Sequence, residues 1–119
     1  MIERDRTARQ IAGEVFAELD MDVTFVPTRS KAMKAADSGS YDLLVLNITE
    51  PFAESIEIIS LFRMLYPGMA IIALTGIIDP LLRREIKYAG ADILLKDPVS
   101  PRRFAESILL AESSSYLTI

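Results

Sequence analysis

The side chains that most often carry out chemistry in proteins are missing from this chain. Among its 119 residues there is no His and no Cys. That removes the usual general base, the commonest transition-metal ligand, thiolate nucleophiles, disulfides and Cys-based metal centres. Hydroxyls remain, but Ser38, Ser40, Ser113, Ser114 and Ser115 fall in turns or in the tail, with no imidazole to activate them. Loops able to cradle a phosphate are rich in Gly, Ser or Thr after a strand, and neither Ile48-Thr49-Glu50-Pro51 nor Gly76-Ile77-Ile78-Asp79 is one. Basic residues group at Arg83, Arg84 and Lys87 and again at Arg102 and Arg103. With 13 basic against 17 acidic residues the net charge is −4, and a nucleic-acid surface needs concentrated positive charge. By composition alone these cations therefore read as a solvated helix face. No enzyme activity is expected.

The elements that would position such residues alternate between two periodicities. Ala8, Ile11, Ala12, Val15, Phe16 and Leu19 recur at helical spacing. Val23-Thr24-Phe25-Val26 reads as a short strand ended by Pro27, and Ser30 as the cap of a helix that closes at Gly39. Leu43-Leu44-Val45-Leu46 is a continuous apolar run, as in a strand buried on both faces of a parallel sheet. Ile58, Ile59, Phe62, Leu65 and Tyr66 form the next helical stripe, stopped by Pro67-Gly68. Ala70–Leu74 is a second buried strand. Asp79-Pro80 opens a helix that ends at Gly90, Ile93-Leu94-Leu95 is a strand, and Ser100-Pro101 opens a last helix running to about Ala111. With half of the residues hydrophobic and 25% charged, the chain has apolar material for one domain over 1–119, with its core at about 3–112. The longest apolar run is far short of the roughly 20 residues of a membrane span. No leader pattern precedes the first helix, so a cytoplasmic location without membrane contact is expected.

From about Glu3 to Ala111 the order and spacing resemble the receiver domain of two-component response regulators. The resemblance rests on Tyr41-Asp42-Leu43-Leu44-Val45-Leu46-Asn47, then Pro51 and Glu54-Ser55-Ile56-Glu57-Ile58-Ile59, which is similar to the family's DLVLLD…P..DGLELL. Leu74-Thr75-Gly76 and Ala89-Gly90-Ala91-Asp92 continue it as LTG and AGAD, and Leu95-Lys96-Asp97-Pro98 stands for the family's LxKP segment. The resemblance implies an α/β, flavodoxin-like, doubly wound parallel sheet of order 2-1-3-4-5, with a site at the carboxyl ends of strands 1 and 3. In that family an acidic pair holds Mg²⁺, an aspartate accepts phosphoryl from a histidine kinase, and Thr and Lys bind the phosphoryl oxygens.

At those positions this chain departs. Asn47 takes the place of the acceptor aspartate, and a neutral amide oxygen is a poor nucleophile and a weaker Mg²⁺ ligand than a carboxylate. Glu3-Arg4 aligns with the acidic pair, so a fixed cation stands where a dication would bind. Ile93 takes the place of the switch aromatic, and Ser55 that of a loop glycine, while Thr75 and Lys96 are kept. No metal ligand set and no cofactor is therefore expected. Lys96 either pairs with Glu3 inside the pocket or hydrogen-bonds Asn47 and nearby carbonyls.

The resemblance thus implies a degenerate pseudo-receiver that acts by protein contact, with a histidine kinase or a downstream regulator as partner. Its docking surface would be the face carrying Arg83, Arg84, Lys87, Arg102 and Arg103. Alternatives are a conventional receiver with atypical ligands or a flavodoxin-like small-ligand domain.

One element does not fit. Only Met1-Ile2 precedes the first helix, so the central first strand is largely missing. Unpaired groups in mid-sheet cost about 1–3 kcal/mol each. The gap implies a start upstream of Met1, a second strand moved onto its neighbour, or a homodimer in which another chain fills the place.

Overall fold

The computed structural model describes residues 1–3, 5–77 and 79–117, with side chains described as far as Ala111. Three parallel strands and five helices alternate: α1 (Arg6–Glu18), α2 (Arg29–Ser38), β1 (Leu43–Asn47), α3 (Phe52–Leu65), β2 (Ala70–Thr75), α4 (Pro80–Ala89), β3 (Ile93–Lys96) and α5 (Pro101–Leu117). The strands lie in the order β1-β2-β3. Side chains of successive strand residues point to opposite faces, and the two faces bury different clusters. Leu44, Leu46, Ile71 and Ala73 pack with Ala32, Ile58, Ile59, Phe62, Leu82 and Ile86 from α2, α3 and α4. Val45, Ala70, Ile72 and Leu74 pack with Val15, Phe16, Phe104 and Ile108 from α1 and α5. Burial on both sides is why β1 and β2 read as unbroken apolar runs rather than alternating ones.

The short first strand is present in one chain, as a stub. Ile2 forms parallel bridges to Val26 on one side and to Leu46 on the other. The Ile2 N–H donates to the Val45 carbonyl at 2.8 Å, and the Glu3 N–H to the Val26 carbonyl at 3.1 Å. Counting the stub first and the Val26 segment second, the order 2-1-3-4-5 is kept. The expected displacement of the second strand onto its neighbour does not occur: Val26 pairs with Ile2, not with β1. Two or three residues suffice because they supply both ladders where the site lies. Residues 23–25 form no regular strand, since the stub offers them too little to pair with.

Helix ends follow local chemistry. Asp5, Thr28 and Asp79 accept from Thr7, Lys31 and Leu81 N–H groups and cap α1, α2 and α4. The cap of α2 is thus Thr28 and not Ser30, which lies inside the helix. Ser100 Oγ accepts from the Arg103 N–H at 3.2 Å and opens α5, whose backbone stays helical past Ala111 to Leu117. Gly90 ends α4 with φ 132°. There a Cβ would come within 2.9 Å of the Arg63 side chain. Two stripe residues lie outward, Ile11 at 44% and Leu65 at 47% exposure, because each sits at the rim of its helix's apolar face.

Candidate functional site

Parallel strands all end on the same edge of a sheet, and the last residue of each is a position from which a side chain can leave the core. Here those residues are Glu3 at the end of the stub, Asn47 of β1, Thr75 of β2 and Lys96 of β3. The ladder puts Thr75 directly beside Lys96 in register.

Glu3 and Asn47 meet. Glu3 is buried, at 6% exposure, and a buried carboxylate needs hydrogen-bond donors. Its Oε1 accepts from the Asp5 N–H at 2.9 Å, and its Oε2 accepts from Asn47 Nδ2 at 2.7 Å. Asn47 therefore turns an N–H donor toward the acid. Asp97 completes the group. Its N–H donates to the Thr75 carbonyl at 2.8 Å, extending the edge beyond β3. Burial pushes its carboxyl above the usual aspartate range, the negative charge of Glu3 adds to the rise, and the Asn47 amide opposes it. Of the two carboxylates, Glu3 is the one that takes a hydrogen bond from the Asn47 amide, at 2.7 Å.

Thr75 is buried at 2% exposure, and its Oγ1 accepts from the Ile77 N–H at 3.2 Å. Its hydroxyl satisfies the strand end. Lys96 is exposed, and among the described residues it forms no ion pair with Glu3 and no hydrogen bond to Asn47, so neither arrangement expected for it is present. Ile93 is half-buried against the cluster of α1 and α5. Arg4 lies outside the described residues.

Asp97 went unremarked in the sequence, although the signal was there: an acid inserted between Lys96 and Pro98, where the family pattern puts the proline directly after the lysine. Around Glu3 and Asn47 opens a cleft of about 480 Å³, lined also by Thr28, Arg29, Glu54 and Ser55. Ser55 Oγ closes the loop below it, donating to the Thr49 carbonyl at 3.3 Å.

These residues do not suit Mg²⁺, which needs several oxygen ligands in octahedral array. Among the described residues no three acidic, His or Cys side chains converge. Both oxygens of Glu3 already accept hydrogen bonds, and the amide nitrogen of Asn47 is a donor.

The proposed docking residues Arg83, Arg84 and Lys87 are exposed on α4, as are Arg102 and Arg103 on α5. Arg102 Nε pairs with Glu106 at 3.2 Å. Leu81 lies among the α4 cations at 61% exposure. None of these cations approaches the Glu3–Asn47–Asp97 group in any described contact.

No family model matches the chain, and no curated protein matches it. Solved structures do match. A CheY-like response regulator receiver domain protein from Methanospirillum hungatei JF-1 superposes with a TM-score of 0.84 at 23% identity, over 96% of this chain and 92% of that one. A response regulator from Thermotoga maritima gives 0.88 at 17% identity, over 94% and 93%. An orphan response regulator of H. pylori gives 0.84 at 12% identity, over 92% and 91%. The fold is the α/β fold of CheY-like receiver domains. No helix of the described residues is long and apolar enough to cross a membrane.

Proposed function

We propose that the chain is a receiver-like regulatory domain of two-component signalling that acts by protein contact, without phosphorylation at its acceptor position. The observation that carries this is the hydrogen bond from Asn47 Nδ2 to Glu3 Oε2, at 2.7 Å. It fills the acceptor position with a donor and spends it on the acid that would otherwise help to hold a metal. Asn47 and Glu3 hold one arrangement with a fixed hydrogen bond, where a phosphorylated receiver would rely on metal and phosphoryl. Exposed Lys96 and a Thr75 hydroxyl occupied by its own loop fit a site that receives no phosphoryl group.

In this reading the domain has no catalytic residue, resident cofactor or nucleic-acid ligand of its own. Its output is a docking surface on α4 and α5, with Arg83, Arg84, Lys87, Arg102 and Arg103 as its cations. Its partner is a histidine kinase or a downstream regulator in the cytoplasm. The basic face suits an acidic partner surface, which charge would steer and orient.

The test is beryllofluoride with Mg²⁺, a phosphoryl mimic, followed by amide NMR. Unmoved resonances at Asn47, Thr75 and Lys96 are the expected result. Saturable shifts there would revive the conventional receiver with atypical ligands, Glu3 and Asp97 then serving as its carboxylates.

A further inference from the structure

Helix α4 has an outward stripe of its own, apart from most of its cations. At 3.6 residues per turn, Leu81, Arg84, Glu85 and Tyr88 fall within about 100° of one another, while Arg83 and Lys87 lie on the opposite flank. Burial agrees with that division. Leu82 and Ile86 point into the core, whereas Leu81 is 61% and Tyr88 95% exposed. An aromatic ring has a large apolar surface to cover, and nearly all of Tyr88 is left in water. Arg84 and Glu85 are exposed too, and among the described residues neither forms an ion pair.

Beside this stripe, the packing of α4 on α3 leaves a groove of about 430 Å³, lined by Ile56 and Ser60 from α3 and by Arg84, Glu85, Tyr88 and Ala89 from α4. Met64, one turn beyond Ser60 along the same row of α3, continues its apolar rim at 70% exposure. The stripe that borders the groove reads apolar, cation, anion, apolar. Turned end for end, it reads apolar, anion, cation, apolar. A two-fold axis crossing α4 between Arg84 and Glu85 therefore sets Leu81 against the partner's Tyr88 and Arg84 against the partner's Glu85. The symmetry then repeats both contacts on the other side.

We propose that this stripe and the α3–α4 groove are the interface of a symmetric homodimer, with the two α4 helices antiparallel across that axis. A two-fold interface uses the same patch on both copies and must be complementary to itself. The order of Leu81, Arg84, Glu85 and Tyr88 meets that condition in both charge and polarity. Burial of Leu81 and Tyr88 supplies the affinity. The exposed charge pairs add little strength, but they fix register and direction, since a shifted or parallel pairing loses their match. One helix and a groove make a small interface, so the dimer is reversible. It leaves Arg83 and Lys87 on the free flank of α4, and it does not depend on the chemistry at Asn47.

The test is sedimentation equilibrium of the 119-residue chain from micromolar to millimolar concentration, with circular dichroism to check that each variant is folded. The expected result is a concentration-dependent dimer. Arg84→Glu and Glu85→Arg should each weaken it by at least about tenfold, because each sets like charges face to face twice. The double exchange, Arg84→Glu with Glu85→Arg, should return the affinity to within about threefold of the native chain, as coupled neighbours do. Mixing the two single variants should give a heterodimer tighter than either variant alone, because each then meets the opposite charge. A chain that stays monomeric throughout would overturn the proposal. So would a dimer indifferent to both reversals, which would be formed by another surface. Reversals that weaken the dimer without rescue by exchange or by mixing would overturn the two-fold pairing of Arg84 with Glu85.

Discussion

Asn47 differs from aspartate by an NH₂ in place of an oxygen, and that group reverses its relation to Glu3. As asparagine it donates at 2.7 Å. As aspartate it would set a second negative charge there, next to Asp97. Asn47→Asp should therefore lower stability at neutral pH by about 1–3 kcal/mol, the usual cost of losing a buried partner. Millimolar Mg²⁺ should recover part of it, which denaturant curves with and without the ion would show. Asp97 supplies a second residue-scale prediction. Its carboxyl is raised by burial and by Glu3, so the folded chain binds this proton more tightly than the unfolded one. Its contribution to stability is then greatest below the ordinary aspartate range and falls away as pH rises through the higher folded value. Asp97→Asn should raise the thermal midpoint at pH 7 and flatten the acid limb of its pH profile. A lower midpoint at pH 7 would contradict the repulsion. Asn47, Thr75 and Lys96 were legible in the sequence through the resemblance to receiver domains, whose pattern puts the site at the strand ends. The resemblance did not show that Lys96 turns outward, because that depends on the path the chain takes through Asp97 and Pro98 into α5.

Among the elements, the corner where α3, α4 and β2 meet hangs on one side chain. Arg63 donates from Nη1 to the Met69 carbonyl at 2.7 Å, and from Nη2 to the Gly90 carbonyl and Asp92 Oδ2, each at 2.7 Å. Asp92 Oδ2 in turn accepts from the Ile71 N–H at 2.8 Å, at the start of the central strand. A planar guanidinium can serve these directions together, and a single ammonium cannot. Arg63→Ala should cost about 2–3 kcal/mol, with Arg63→Lys recovering less than half of it, measured by urea unfolding. Gly90→Ala should also destabilise, since its φ of 132° and the packed Arg63 leave no room for a Cβ. A neutral Gly90→Ala would mean that this corner adjusts freely. Apolar periodicity located every helix and the three ladder strands. It misjudged Ile11 and Leu65, because i, i+3 and i+4 spacing defines a face broader than the surface actually covered. The cap of α2 was misplaced for a related reason: Thr28 and Ser30 are equally good caps by type, and only the turn after Val26 decides between them.

At the scale of the whole 119-residue chain, the Met1 ammonium lies at the start of the stub and donates to the Thr24 carbonyl at 2.8 Å. Burial lowers the Met1 ammonium from 8.0 to about 6. A depressed folded value means that its contribution to stability is complete above pH 8, and is lost as pH falls through 6. The 119-residue chain should gain up to about 2–3 kcal/mol between pH 6 and pH 8. Acetylating the amine should abolish that slope, and an unchanged slope would place its origin elsewhere. The same shortness limited the sequence reading. Two residues ahead of a helix gave no periodicity to judge, and only the pairing of Ile2 with Val26 and Leu46 shows that they hold the middle of the sheet.

The most direct test of a phosphorylation-independent receiver is intact mass after incubation with acetyl phosphate and Mg²⁺, run on the native chain beside Asn47→Asp. The expected result is an unmodified native chain that keeps its fold. A phosphoryl adduct on the native protein would contradict the reading, whatever residue carried it.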